Sequence, residues 1–364
     1  MRLAIVMGTR PEAIKLAPVA RLAATDPDLD AEVWLTGQHR GMLDQVIDAF
    51  ELAPTLDLEL MRPDQQLTDL MAAAIGGVGE VIRAREPDVV LVQGDTTTAS
   101  ASAIAAFSEH VPVGHVEAGL RSGDLEAPFP EEFNRRLVSI AAHWHFAPTE
   151  RAAQALRREG MPSESIHVTG NTVVDALLHV AGQAPPPGFA ERFSGLDRFV
   201  LVTAHRRENH GEPLQAICDG LEALAADQPD VRFVVPVHPN PRVVDVIGER
   251  LGGTPSIILT EPLDYPTMIH LMKRATLVVT DSGGLQEEAP AFGVPVLVMR
   301  RNTERPEGVE AGVARLVGTD AEAIHREVTR LLDDPEAYAQ MARAVSPFGD
   351  GTAAQQIIDV LHRS

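Results

Sequence analysis

Short apolar runs rich in valine, isoleucine and leucine recur along the chain, each closed by a glycine-bearing or charged turn and followed by a longer helical stretch. In the first half they occupy residues 3–7, 31–36, 89–93, 111–116 and 143–147. In the second they lie near 199–204, 231–237, 256–260, 277–280, 295–299 and 314–317. Unbroken apolar runs of this length fit strands buried on both faces of a parallel sheet, and their alternation with helices predicts an α/β fold. The rhythm breaks once. Thr169-Gly170-Asn171-Thr172 opens a helix to about residue 181, and Pro185-Pro186-Pro187-Gly188 follows as a loop. The expected division is residues 1–169, then 170–350, with a last amphipathic helix within 351–364 returning to the first domain.

One strand, turn and helix stands out. Leu277-Val278-Val279-Thr280 leads into Asp281-Ser282-Gly283-Gly284, and a short helix over 285–291 is limited by Pro290 and Gly293. Paired glycines let backbone approach a ligand, and free N–H groups at a helix start suit an anion. Glu287, Glu288 and Arg305 follow. Phosphate on the turn, sugar or ribose hydroxyls on a glutamate and diphosphate charge on the arginine would suit a nucleotide-sugar. A tight turn before a solvated acidic helix explains the same residues equally well.

The other runs add polar groups at their carboxyl ends. Arg10, Gln38, His39, Asp95 and Glu117 each follow such a strand, with Lys15 about one helical turn beyond Arg10. In open α/β sheets this edge binds ligands. A single Asp or His there is more often a cap, but five on one edge are not so easily dismissed. His205, beside Arg206 and Arg207, and His238 sit at two further strand ends. They lack metal-ligand spacing, so no zinc site is expected. Asp28-Leu29-Asp30 has the form of a DxD metal motif but precedes a strand, at the wrong edge of the sheet.

Composition narrows the classes. At 364 residues the chain suits two domains, and a formal charge of −21 argues against nucleic acid or an anionic membrane as partner. Cys218 is the sole cysteine, so no intrachain disulfide can form, which fits a cytoplasmic protein. No apolar run reaches the length of a membrane span or signal sequence.

Assembled, these motifs resemble those of the non-hydrolysing UDP-N-acetylglucosamine 2-epimerases over almost the whole chain. They include GTRPEAIKLAPV (8–19), TGQHRGMLDQV (36–46), QGDTTTA (93–99), GHVEAGLRSG (114–123) and PFPEEFNRR (128–136). They continue with TGNTVVDAL (169–177), TAHRREN (203–209), VHPNP (237–241), DSGGLQEEAP (281–290) and TERPEGVEAG (303–312). Their number and order make the match specific.

The resemblance implies a GT-B-like fold of two Rossmann-like, doubly wound parallel-sheet domains with the active site in the cleft between them. It implies reversible epimerisation of UDP-GlcNAc at C2 to UDP-ManNAc by a homodimer, for cell-surface polysaccharide, with no metal and no redox cofactor. UDP is eliminated to leave 2-acetamidoglucal and then re-added. Asp95, Glu117 and Glu131 match the family's acid–base carboxylates, and clustering would raise at least one pKa by like-charge repulsion. His205 matches the histidine that assists the departing diphosphate. Arg10, Ser282-Gly283-Gly284 and Arg305 match phosphate contacts, Glu288 the ribose contact, and Lys15 and His238 substrate contacts. Met268 stands where many members place a Phe near the uracil. Gln38, His39 and Arg206 fit the region where some members bind a second UDP-GlcNAc as activator, although Gly41 lacks a polar side chain found there in others.

Competing classes are a GT-B glycosyltransferase using the same nucleotide, an epimerase of a modified UDP-GlcNAc, a hydrolysing epimerase, and a non-catalytic nucleotide-sugar sensor. The three carboxylates with His205 argue against the last of these.

Overall fold

The computed structural model describes residues 1–37, 40–60, 62 and 65–363. The chain divides into two compact units, Met1–His179 with Phe348–Ser364, and Val180–Pro347. In the first unit the strands are β1 (Arg2–Met7), β2 (Asp30–Leu35), β3 (Leu56–Asp57), β4 (Val89–Gln93), β5 (Val113–Val116), β6 (Trp144–Ala147) and β7 (Ile166–Val168). In the second they are β8 (Phe199–Thr203), β9 (Arg232–Pro236), β10 (Ile257–Thr260), β11 (Leu277–Thr280), β12 (Val296–Val298) and β13 (Ala314–Leu316).

The sheets run β3-β2-β1-β4-β5-β6-β7 and β10-β9-β8-β11-β12-β13. Every strand pairing is parallel. The order therefore reverses between β1 and β4 in one sheet and between β8 and β11 in the other, the points where doubly wound sheets open a crevice for ligands. The apolar runs behave as expected: all of β4 and all of β11 are buried. β3 and β7 have no counterpart among the sequence expectations. They hold two and three residues at sheet edges, too few to show as an apolar run.

Each unit has its own core. In the first, Trp34, Val90, Val92 and Val113 pack with Val78 and Ile82 of the helix Leu67–Arg85. In the second, Val200, Phe233, Leu277 and Leu297 pack against the helix Glu212–Asp227, whose Cys218 is buried and free. The helix Thr172–Gly182 carries the end of the first unit, because its early turns bond within that unit. Asp175 Oδ1 accepts from Ala354 N at 2.8 Å, at the start of the helix Ala353–His362. At the far end of that helix His362 Nε2 is 2.7 Å from Asp26 Oδ2. Asp30 opens β2, so the DxD triplet lies at the amino edge of the sheet.

The turn after β5 is tightly constrained. Glu117 has φ +62°, a left-handed conformation that costs a β-carbon residue of order 1–3 kcal/mol. Two residues on, Gly119 has φ +91°, and a Cβ there would fall 2.3 Å from the Ala152 carbonyl oxygen. Gly119→Ala is accordingly expected to destabilise the protein by about 2–4 kcal/mol. Urea unfolding would show this as a lowered midpoint, and an unchanged midpoint would contradict the packing described.

Candidate active site

In the first unit the turns after β1, β4 and β5 bring polar side chains together. Glu117, 9% exposed, is tied to side chains from several elements. Lys15 Nζ pairs with Oε2, Asn171 Nδ2 donates to Oε2 at 2.9 Å, and Gln93 Nε2 donates to Oε1 at 3.0 Å. Asp95 forms an ion pair with Arg135, whose Nε donates to Oδ2 at 3.1 Å. Asn134 Nδ2 holds the Asp95 carbonyl at 2.9 Å. Glu131 opens the helix Glu131–Ala141, and its Oε2 is buried with no hydrogen-bond partner among the described residues. Arg10 is the first residue of the helix Arg10–Thr25 and is half-buried. Asp95 and Glu117 thus each meet a cation of their own, an arrangement that like-charge clustering did not anticipate.

In the second unit the turns after β8 and β11 form a parallel arrangement. His205 stacks on His238 with ring centroids 5.6 Å apart and planes 15° from parallel. Desolvation, then the facing His205 ring, holds His238 below the ordinary histidine value. Gly283 and Gly284 lie inside a short helix, Gly283–Glu288, rather than before it, with Ser282 as its cap. A Cβ on Gly283 would sit 3.2 Å from an Arg206 guanidinium nitrogen and 3.6 Å from Arg305 Cζ. Two guanidiniums therefore overhang the glycine, and a Cβ there would crowd the Arg206 nitrogen. Glu288 Oε1 would lie 3.6 Å from a Cβ on Gly284, so this carboxylate folds back over the turn. The alternative of a solvated acidic helix fails at Glu287, which is 3% exposed and accepts from Arg305 Nε at 2.6 Å. Glu304 accepts two bonds from Arg300, at 2.7 and 2.9 Å. Burial would raise its carboxyl, but the Arg300 fork pulls it down to about 2. Met268 lies half-buried on the helix Tyr265–Arg274. Gln38 and His39 lie outside the described residues.

Sequence reasoning passed over several members of these clusters. Gln93, Arg135 and Asn171 were inside quoted motifs but carried no signal beyond their neighbours. Asp281, the residue that follows β11, is fully buried. Among the described residues no group of three or more His, Cys, Asp or Glu could hold a metal ion, and no helix is long and apolar enough to cross a membrane.

Glu12 is another such residue. It is fully buried and joins two of the turns. Oε2 accepts from Gly8 N at 3.1 Å and Thr9 N at 2.6 Å, while Oε1 accepts from Thr96 Oγ1 at 2.6 Å. Thr9 caps the same helix reciprocally, completing a capping box. Burial pushes the Glu12 carboxyl up to about 7, against the pull of the bonds from Thr96, Thr9 and Gly8. An acid raised in the folded state favours folding while protonated, so this contribution is lost as pH rises from its ordinary value near 4.5 to about 7. The span corresponds to about 3 kcal/mol. The stability difference between Glu12→Gln and the parent, measured by urea unfolding, should shift in favour of the variant by that order over this pH range. A difference that stays flat would count against a buried, proton-holding Glu12.

The family model for UDP-N-acetylglucosamine 2-epimerase matches residues 21–362. A UDP-N-acetylglucosamine 2-epimerase of Salmonella typhimurium is 47% identical, over 99% of this chain and 98% of the relative. The crystal structure of the UDP-GlcNAc 2-epimerase from Neisseria meningitidis, bound to UDP-GlcNAc, superposes with a TM-score of 0.91 at 42% identity, covering 100% of both chains. That of the Methanocaldococcus jannaschii enzyme, in complex with UDP-GlcNAc and UDP, does so with a TM-score of 0.83 at 33% identity, again covering both chains fully. The fold is accordingly GT-B-like. With paired switch-point turns, a carboxylate cluster in one unit and a guanidinium-capped glycine turn in the other, the chain belongs to the UDP-N-acetylglucosamine 2-epimerase family.

Proposed function

We propose that this protein interconverts UDP-GlcNAc and UDP-ManNAc by eliminating UDP to give 2-acetamidoglucal and adding it back. Asp95, Glu117 and Glu131 move the C2 proton, since inversion requires proton transfer on both faces of that carbon. His205 assists the departing diphosphate. Arg10, Arg305 and the Ser282-Gly283-Gly284 turn hold its phosphates, Glu288 binds the ribose, Met268 lies near the uracil, and Lys15 and His238 contact the substrate.

The observation that carries this reading is Glu117. A buried carboxylate in left-handed backbone, at the carboxyl edge of the sheet and tied to Lys15, Asn171 and Gln93, is costly to build for structure alone. The family relation supports the same chemistry, as do the UDP-GlcNAc and UDP bound to the related enzymes. The enzyme works as a homodimer without metal or redox cofactor and supplies ManNAc units for surface polysaccharide. A chain whose single thiol is buried and free suits the cytoplasm.

Turnover of UDP-GlcNAc in D₂O should place deuterium at C2 of both sugars. Unlabelled sugars after turnover would exclude elimination, and transfer to an acceptor would favour a glycosyltransferase. Asp95→Asn is expected to lower kcat by on the order of 10²–10⁴ while UDP binding changes less than about threefold. Wild-type exchange in that variant would remove Asp95 from the reaction. A second UDP-GlcNAc, contacting Gln38, His39 and Arg206, acts as activator. The rate curve should then be sigmoidal, and a hyperbolic curve with UDP-ManNAc alone turned over at full speed would overturn the activator.

A further inference from the structure

Asp281 is fully buried at the end of β11, and its two carboxylate oxygens have divided surroundings. Oδ2 accepts from His205 N at 2.9 Å, Arg206 N at 2.9 Å and Asn209 Nδ2 at 3.0 Å. Oδ1 lies 3.1 Å from the His205 ring nitrogen Nδ1, an ion-pair distance, and makes no hydrogen bond of regular geometry among the described residues.

Two acceptors facing each other at that distance in a buried site would repel, whereas a proton on Nδ1 makes the contact attractive. The other neighbours leave this choice intact. His238 lies against the face of the ring, not its edge, and the His205 side chain is 38% exposed. Burial would raise the Asp281 carboxyl, but His205 and the N–H groups of Arg206 and His205 hold it below the ordinary range. The acceptor is therefore a charged carboxylate.

We propose that Asp281 is a positioning residue that fixes His205 in its Nδ1–H tautomer, so that Nε2 exchanges the proton with the departing diphosphate. This rests on the elimination reading given above. As the C1–O bond breaks, its electron pair passes to the β-phosphate oxygen, which takes the proton from Nε2 of the imidazolium. The C2 proton passes to a carboxylate and the C2–H pair forms the C1=C2 bond. His205 is left neutral with its remaining proton on Nδ1, against Asp281. In re-addition the phosphate oxygen returns its pair to C1 and its proton to Nε2, while the C1=C2 pair takes a proton from another carboxyl on the opposite face of C2. The same carboxylate anchors the backbone of His205 and Arg206, so one buried group sets both the place of the ring and its protonated edge.

Long-range ¹H–¹⁵N correlation on the full-length, ¹⁵N-histidine-labelled protein tests this, with the His205 signal assigned by its loss in His205→Asn. Where the ring is neutral, the expected spectrum has hydrogen on Nδ1 and a bare Nε2. In Asp281→Asn the amide oxygen can replace Oδ2 as acceptor while the NH₂ donates to Nδ1, which moves the ring proton to Nε2. That variant should lose on the order of 10²-fold in kcat while KM for UDP-GlcNAc stays within about threefold. A wild-type neutral ring protonated on Nε2 overturns the proposal. So does an Asp281→Asn protein that loses activity with its tautomer unchanged, which would make Asp281 merely structural. Should the variant not fold, the wild-type spectrum alone decides the tautomer. Full activity in His205→Asn would instead overturn the part given to His205 in the reaction and leave the tautomer assignment standing.

Discussion

A carboxylate taken out of water must be surrounded by donors or lose its charge. That constraint shapes both halves of this protein. Glu12 gathers N–H groups from the turn after β1 and the hydroxyl of Thr96 from the turn after β4. Asp281 gathers N–H groups from the turn after β8 while standing at the end of β11. Each therefore ties together the two turns that flank the reversal of strand order in its own sheet. At the crevice-forming point of each unit a buried acid thus links the two turns, above the apolar core that packs the strands.

The two acids settle the constraint differently. Glu12 has no cation among its hydrogen-bond partners in the described residues, and burial pushes its pKa up to about 7. Asp281 meets three N–H donors and a histidine ring and keeps its charge. Around them, carboxylates nearer the surface pair with cations: Asp95 with Arg135, Glu117 with Lys15, Glu287 with Arg305. Glu131 differs in having one buried oxygen with no hydrogen-bond partner among the described residues. The proposed reaction both takes and gives protons at one carbon, and Asp95, Glu117 and Glu131 of the first unit offer it acids in unlike environments.

Positive charge in a chain of formal charge −21 is thus spent locally. Arg206 and Arg305 overhang Gly283, whose missing side chain leaves them room there. Arg206 was singled out in the sequence with the activator region. Its position over the glycine turn also places it near Arg305, to which the proposed function gives a phosphate contact.

Much of this was legible in the residues. Unbroken apolar runs announced eleven of the strands, because a strand buried on both faces needs no alternation. The glycine turn at 283–284 and the polar residues that end the strands were visible because a parallel sheet puts every strand's carboxyl end on one edge. What the chain alone did not determine is who meets whom. The short edge strands β3 and β7 exist only because β2 and β6 offer them hydrogen bonds. Lys15 and Glu117, or His205 and Asp281, lie far apart in sequence and become partners only when β1, β4 and β5, or β8 and β11, lie near one another in a sheet. Local sequence decided which elements form and what each carries at its end; the long-range packing of those elements decided which carboxylates stay charged, because charge in a buried site depends on neighbours that no local pattern encodes.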